Sequence, residues 1–381
     1  MTSSNKTSIY LDNAATTPVD PLVWQEMQPY LEEFTANPSS IHSHGRKAKV
    51  IVEKARKTIA TLLNAAPSEI FFTSGGTEAD NTVIQSAVLH GGIKTIITSP
   101  LEHHAVLHTA EYWHQLGFAE LKYVRVNAMG DVDLEHLENL LAASPKALVS
   151  LMHGNNEIGN LLDLHAVGKL CDQYGALFHS DTVQTMGHFT HDTQTLPVHF
   201  MVGAGHKFHG PKGIGFLYAK SGSAFSPLMH GGAQERNQRG GTENVYGMVG
   251  IAKALALAYE QMAEHEAHIK GIKAYFIEQL AISFPGIEFN GRSGEVENSL
   301  YTVLNVRFPT IADGDMLLFK LDIEKISASG GSACSSGTSV GSHVLTALNP
   351  QARGAAVRFS FSKNNTREEI DRVIEVLKTV I

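Results

Sequence analysis

Cysteine is scarce in this chain: Cys171 and Cys334 are the only two among 381 residues. Two thiols cannot build a disulfide framework and suit a reducing compartment. A basic surplus is missing too, since 30 Lys and Arg against 38 Asp and Glu leave a formal charge of -8. That balance argues against a general nucleic-acid binder. No run of about 18 apolar residues offers a membrane helix. The stretch MTSSNKTSIYLDNAATTP lacks the apolar segment of a signal peptide. A cytoplasmic protein with neither nucleic acid nor membrane among its partners is therefore expected. Internal repeats, low-complexity tracts and charge blocks are absent as well. What is present is an ordinary globular composition, 43% hydrophobic and 18% charged, in a chain long enough for one large domain and a smaller one.

From roughly residue 45 to 220, short apolar runs alternate with helical patterns, as in an α/β domain built on a mainly parallel sheet. Strands are expected over 69–74, 94–99, 119–126, 146–152, 175–181, 199–204 and 213–219. In HAVGKLCDQYG, Val167, Leu170, Cys171 and Tyr174 fall at helical spacing, which makes Cys171 a core filler. An Ala- and Leu-rich stretch over 251–281 predicts one long helix leading to a compact α+β subdomain. The other cysteine lies in SASGGSACSSGTS, 327–339, a setting of small residues expected to be flexible and exposed. A structural thiol has no use for such surroundings.

Three segments carry chemistry. GAGHKFHGPKGIG places Lys207 after an apolar strand among glycines, where a desolvated amine can attack a carbonyl as a Schiff-base lysine. Lysines beside glycines are also common on surfaces. FFTSGGTEADN reads as strand, Gly-rich turn and helix, a geometry that aims free backbone N–H groups at an anion such as phosphate. It is neither a dinucleotide fingerprint nor a P-loop, and a helix capped by Thr77 explains it equally well. In HSDTVQTMG, Asp181 ends an apolar strand, where a buried carboxylate needs a cation. Lysine, phosphate cup and strand-end Asp together form the set of groups a pyridoxal phosphate site requires. His104 and His108 at i, i+4 suggest a metal pair in isolation, but no third ligand at suitable spacing supports it, so no metal is expected.

With these residues in view, the chain resembles the cysteine desulfurases of the NifS/IscS type, in the class V aminotransferase family of fold-type I pyridoxal phosphate enzymes. The matching motifs are YLDNAATTPVD, NPSSIHSHGR, FTSGGTEADN, EHHAVL, MHGNNEIG, HSDTVQTMG, GHKFHGPKGIG, MHGGAQERNQRGGTENV, GGSACSSG and VRFSFS, in one order across nearly the entire chain. The resemblance implies an α/β fold-type I transferase with a large cofactor-binding domain over 15–255. Residues 1–14 and 256–381 would form the small domain carrying the thiol loop.

By the same resemblance, Lys207 holds pyridoxal 5'-phosphate and moves the substrate Cα proton. Asp181 pairs with the ring nitrogen, Gln184 with the phenolic oxygen, and His103 stacks on the ring and serves as an acid or base. Gly76, Thr77 and His206 cradle the phosphate, and Thr242 reaches the partner protomer's phosphate in a homodimer. Asn156 and Arg358 contact the substrate carboxylate, the latter through the guanidinium fork. Cys334 takes sulfur from L-cysteine as a persulfide, releasing alanine, for delivery to an acceptor protein such as an iron-sulfur scaffold. Selenocysteine lyase, cysteine sulfinate lyase, another class V activity and a non-catalytic platform are the alternatives. Ala204 stands where many relatives have a phosphate-contacting Ser; Gly330, Gly241 and Gly341 are further departures from the pattern. Asp12, Asn13 and Asn37 lie in matching motifs, and turn formation accounts for them as well as any role at the site.

Overall fold

A computed structural model describes residues 8–32, 35–223, 225–330 and 341–381. Cys334 lies outside the described residues. In chain order the strands are β1 (Ile9–Tyr10), β2 (Ile70–Thr73), β3 (Thr95–Thr98), β4 (Glu120–Tyr123), β5 (Ala147–Ser150) and β6 (Leu177–Ser180). Then come β7 (Phe200–Ala204), β8 (Gly215–Ala219), β9 (Glu288–Phe289), β10 (Val303–Phe308), β11 (Ile326–Ser327) and β12 (Ala355–Ser360). The helices are α1 (Pro21–Glu32), α2 (Ser43–Leu62), α3 (Gly76–Leu89), α4 (His104–Gln115), α5 (Leu134–Ala142) and α6 (Leu164–Tyr174). They continue with α7 (Val245–Glu260), α8 (Met262–Ser283), α9 (Gly314–Ile323), α10 (His343–Leu348) and α11 (Arg367–Val380).

Every strand expected between 69 and 219 is present, and together they form one sheet in the order β2-β8-β7-β6-β5-β3-β4. From β7 to β4 the pairing is parallel, while β8 runs antiparallel to both of its neighbours. Strands β2, β3, β5, β7 and β8 are buried at every position, as a sheet covered on both faces requires. Residues from α2, α5, α6 and α7 pack on one face, around Ile97, Val149, Phe178, Met201 and Phe216. Helices α3 and α4 cover the other, against Ile96, Leu148, Val202 and Leu217. The edge strand β4 instead carries Glu120 and Lys122 and is exposed at both ends, which discourages pairing with a foreign strand.

Local signals set the helix limits. Asp163 accepts the Ala166 N–H at 3.0 Å to start α6, and Gly175, at φ 62°, ends it in the left-handed conformation that glycine tolerates best. Cys171, on this helix, is fully buried, and burial pushes its thiol up to about 12; it is an inert core residue. Thr366 and Glu369 form a reciprocal capping box at the start of α11.

The single helix expected over 251–281 is in fact two. Gln261, at φ -107° and ψ 12°, separates α7 from α8. The physical reason is that the two halves serve different cores. Ile251 and Leu255 of α7 bury into the large-sheet cluster, whereas Ile269, Ile272, Phe276 and Leu280 of α8 bury against β10, β12 and α11. In that second cluster β10 pairs antiparallel with both β9 and β12, and β1 pairs in parallel with β11. Ile9 and Leu11 belong to this C-terminal core. The chain passes directly from it, through residues 12–17, to the carboxyl ends of the large sheet's strands, where Thr17 N–H meets the His206 carbonyl. Among the described residues no helix is long and apolar enough to cross a membrane.

Candidate active site

In open α/β sheets ligands bind beyond the carboxyl ends of the strands. Here Asp181 follows β6, Gly205–Lys207 make one tight turn after β7, Asn156 lies in the loop after β5, and His103 lies in the loop after β3. These loops, the start of α3 and Arg358 of β12 surround one cavity of about 320 Å³. Its wall includes Gly76, Thr77, His103, Asn156, Asp181 and Gln184, together with His206, Lys207 and Arg358. Thr242 is exposed and stands apart from this wall.

At the α3 end, the N-cap is Gly75, with no side-chain cap bond, and Thr77 falls inside the first turn. The reading of Thr77 as a helix cap is thereby corrected. The first-turn N–H groups have no intrahelical acceptor and point to an anion site. A Cβ on Gly76 would come within 2.7 Å of Val183 Cγ2, so only glycine lets the helix start this close to the segment carrying Asp181. Glu78, one residue beyond Thr77, accepts the Ser74 N–H at 2.8 Å and pairs with Arg239 at 2.9 Å. That pair fixes the cup to the RGGTEN segment.

Burial pushes the Asp181 carboxyl up, and the charges of His103 and Lys207 and the Val183 N–H at 2.9 Å pull it back. Asp80, in the same cavity wall, is pushed well above the usual carboxylate range by burial and by the negative charges of Asp181 and Glu102. His179, fully buried, is driven down to about 3 by burial. Its Nε2 is 3.3 Å from Asp80 Oδ1, without hydrogen-bond geometry at either atom. Burial therefore works against charge on both partners of this contact, whereas Asp181 has the charges of His103 and Lys207 beside it to favour its carboxylate form. Burial, with Lys207 and Lys212 nearby, lowers His206 to about 4, so it meets an anion as a neutral donor. His103 caps α4, its Nδ1 accepting the Ala105 N–H at 3.1 Å. This bond assigns the ring proton to Nε2.

Residues 12–17 hold the rest. Lys207 Nζ donates to the carbonyls of Ala14 and Ala15 at 2.6 and 3.0 Å, and Gln184 Nε2 donates to Ala14 at 3.0 Å. Thr17 N–H reaches the His206 carbonyl at 2.8 Å. Arg358 Nη2 meets Asp12 Oδ1 at 2.7 Å. Asp12, for which the sequence leaves a turn and a role at the site equally open, is placed against Arg358 of the cavity wall. Glu102 is a further residue that sequence reasoning misses: it accepts the Met152 N–H at 3.0 Å, tying the strand-end loops together, and burial raises it to about 8. Its neighbouring histidines draw attention in EHHAVL, and only the apolar strand before it hints at burial.

The cavity has the chemistry of a pyridoxal phosphate site: N–H groups for a phosphate, a buried carboxylate, a lysine amine and a neutral histidine. Arg358 brings a guanidinium to the cavity wall, the group that suits a carboxylate, and its Nε is buried with no acceptor among the described residues. The structure also gives the His104–His108 pair a neighbour in His343, its ring 4.4 Å from that of His104. Among the described residues no group of three His, Cys, Asp or Glu is placed to hold a metal ion.

The aminotransferase class-V family matches residues 9–373. The chain belongs to the class-V aminotransferase family. Among its relatives is cysteine desulfurase IscS of Dictyoglomus turgidum, 40% identical over 381 residues that cover 99% of this chain and 95% of the relative. Cysteine desulfurase IscS of Methanosarcina thermophila is 40% identical over 383 residues, covering 100% and 93%. A solved NifS-like protein superposes with a TM-score of 0.90 at 36% identity, covering 98% of this chain and 99% of its own. SspA in complex with cysteine gives a TM-score of 0.80 at 30% identity, covering 94% and 100%. The architecture of this family member is fold-type I, and the cavity lies at the carboxyl ends of its strands.

Proposed function

We propose that this protein is a pyridoxal phosphate-dependent cysteine desulfurase that converts L-cysteine to L-alanine and takes up the sulfur on Cys334. The observation that carries the reading is the convergence of Lys207, Asp181 and Arg358 on one cavity, together with relatives named as cysteine desulfurases. Residues 15–255 form the cofactor domain in this reading, and residues 1–14 and 256–381 the lobe bearing Cys334. When bound, the cofactor supplies an electron sink that makes the substrate Cα proton removable. Lys207 Nζ carries that proton, Arg358 and Asn156 orient the substrate carboxylate, and Gly76, Thr77 and His206 hold the phosphate. The cofactor would be held by Asp181 at its ring nitrogen, by Gln184 at its phenolic oxygen and by His103 beside its ring.

The Cys334 thiolate attacks the substrate sulfur. An S–S bond forms, the C–S bond breaks, and its electron pair stays on the substrate carbon, which is protonated to give alanine. Thr242 serves the phosphate of the second protomer in a homodimer. A cytoplasmic sulfur-acceptor protein, such as an iron-sulfur scaffold, relieves Cys334 of its extra sulfur.

The test is incubation with L-cysteine, selenocysteine and cysteine sulfinate, following alanine release together with the mass of the Cys334 peptide. A gain of one sulfur at Cys334 with L-cysteine alone is expected. Equal turnover of all three without that gain would point to a general lyase. The cofactor assignment has its own check at Ala204, buried in the cavity wall at the end of β7. Ala204→Ser is expected to add one phosphate donor and tighten pyridoxal phosphate binding roughly fivefold, as about 1 kcal/mol per hydrogen bond gives. Equilibrium dialysis of the cofactor measures this, and unchanged binding would mean that the end of β7 does not face the phosphate.

A further inference from the structure

Arg358 is only 1% exposed, and a guanidinium so deeply buried needs both a counter-charge and acceptors. Among the described residues it has one charged partner: Nη2 donates to Asp12 Oδ1 at 2.7 Å, while Nη1 donates to the Asn156 carbonyl at 3.1 Å. Nε remains without an acceptor among the described residues. The guanidinium is thus pinned at two of its three nitrogens, with unused donor capacity in the cavity wall. Asp12 is itself anchored. Its Oδ1 also accepts from Ser329 Oγ at 2.9 Å, and its carbonyl accepts the Ala15 N–H at 3.0 Å. Ser329 in turn exchanges two backbone hydrogen bonds with Arg358, at 3.1 and 2.6 Å. A closed ring of contacts therefore runs Asp12, Arg358, Ser329 and back to Asp12, and the Ala14 and Ala15 carbonyls that hold Lys207 follow directly in the chain.

We propose that Asp12 is the positioning residue of the substrate-carboxylate site: it holds the Arg358 plane so that an amino acid's carboxylate meets donors already aligned. The proposal rests on the cysteine desulfurase reading and extends it to a residue that touches neither substrate nor cofactor. Asp12 acts only through Arg358, so its removal weakens ligands that carry a carboxylate and spares those that do not. Once a ligand carboxylate is bound it supplies counter-charge, and what Asp12 adds is orientation, which an Asn in its place keeps through the same oxygen acceptor.

The test uses the cofactor-loaded full chain and the change in its visible absorption on titration with L-alanine and with ethylamine, the same amine without the carboxylate. Asp12→Ala is expected to weaken L-alanine by about tenfold or more, the scale of a misaligned charge-assisted hydrogen bond, and to leave ethylamine within about twofold of the native protein. Asp12→Asn is expected to bind both within about threefold of native. Ser329→Ala removes one anchor of Asp12 without touching the Arg358 side chain. It should weaken L-alanine alone, by about threefold, and it keeps the proposal testable should Asp12→Ala fail to fold. Equal weakening of both amines would make Asp12 a general structural residue and overturn the proposal. Tighter L-alanine binding in Asp12→Ala would overturn it too, marking Asp12 as a competitor for Arg358. A native protein that responds to neither amine would remove the functional reading and this assignment together, and that outcome is seen without any variant.

Discussion

Lys207→Ala is expected to abolish alanine formation from L-cysteine, by about 10⁴-fold or more, because on the proposed function it removes the cofactor's covalent anchor and the base that moves the Cα proton. The variant should also lack the yellow absorption, at about 420 nm, of a cofactor bound to a catalytic lysine. The fold should survive. Lys207 follows β7 in a single tight turn and points its amine at the Ala14 and Ala15 carbonyls, outside the hydrophobic clusters. Its loss leaves two carbonyls beside an open cavity, where water can replace the amine, so the melting temperature should stay within a few degrees. Lys207→Arg tests the same point with the charge retained. A guanidinium cannot be deprotonated to a nucleophile in a protein, so this variant should be equally inactive and equally colourless. Near-native alanine release from either variant would place the chemistry elsewhere in the molecule.

The sequence makes these assignments legible where local pattern and chemistry coincide. Each strand of the large sheet is a short apolar run between turn residues, and Lys207 and Asp181 follow directly on such runs. Distance along the chain hides the rest. Asp12 and Arg358 are 346 positions apart, so nothing near either residue signals the other. LDNAAT reads as a turn until the fold lays it across the strand ends. Similarly, 251–281 has helical composition throughout, and its break at Gln261 exists only because two separate cores claim its halves. FFTSGGTEADN allows either a Gly-rich turn opening a helix or a helix capped by Thr77, and the local pattern alone cannot show that the helix already begins at Gly76. His343 reaches His104 by folding alone.

Cys334→Ala is expected to separate two chemistries that share the cavity. With L-cysteine, sulfur leaves the substrate only if a thiolate accepts it, so alanine release should fall by about 10²- to 10⁴-fold, as for loss of a positioned nucleophile. L-alanine should still bind with native affinity, because Asp12 and the Asn156 carbonyl hold the Arg358 guanidinium. Cysteine sulfinate is the discriminating substrate. Its C–S bond can break with departure of sulfur dioxide and no attacking thiol, so turnover should stay within about threefold of native. Parallel assays of alanine release from both substrates, with a binding titration, read the three quantities on one preparation. Equal losses on both substrates would mean that the substitution damages the cavity and not the sulfur transfer. Unchanged turnover of L-cysteine would remove the persulfide step, leaving Cys171 no better candidate, since its thiol is fully buried in the core and raised to about 12.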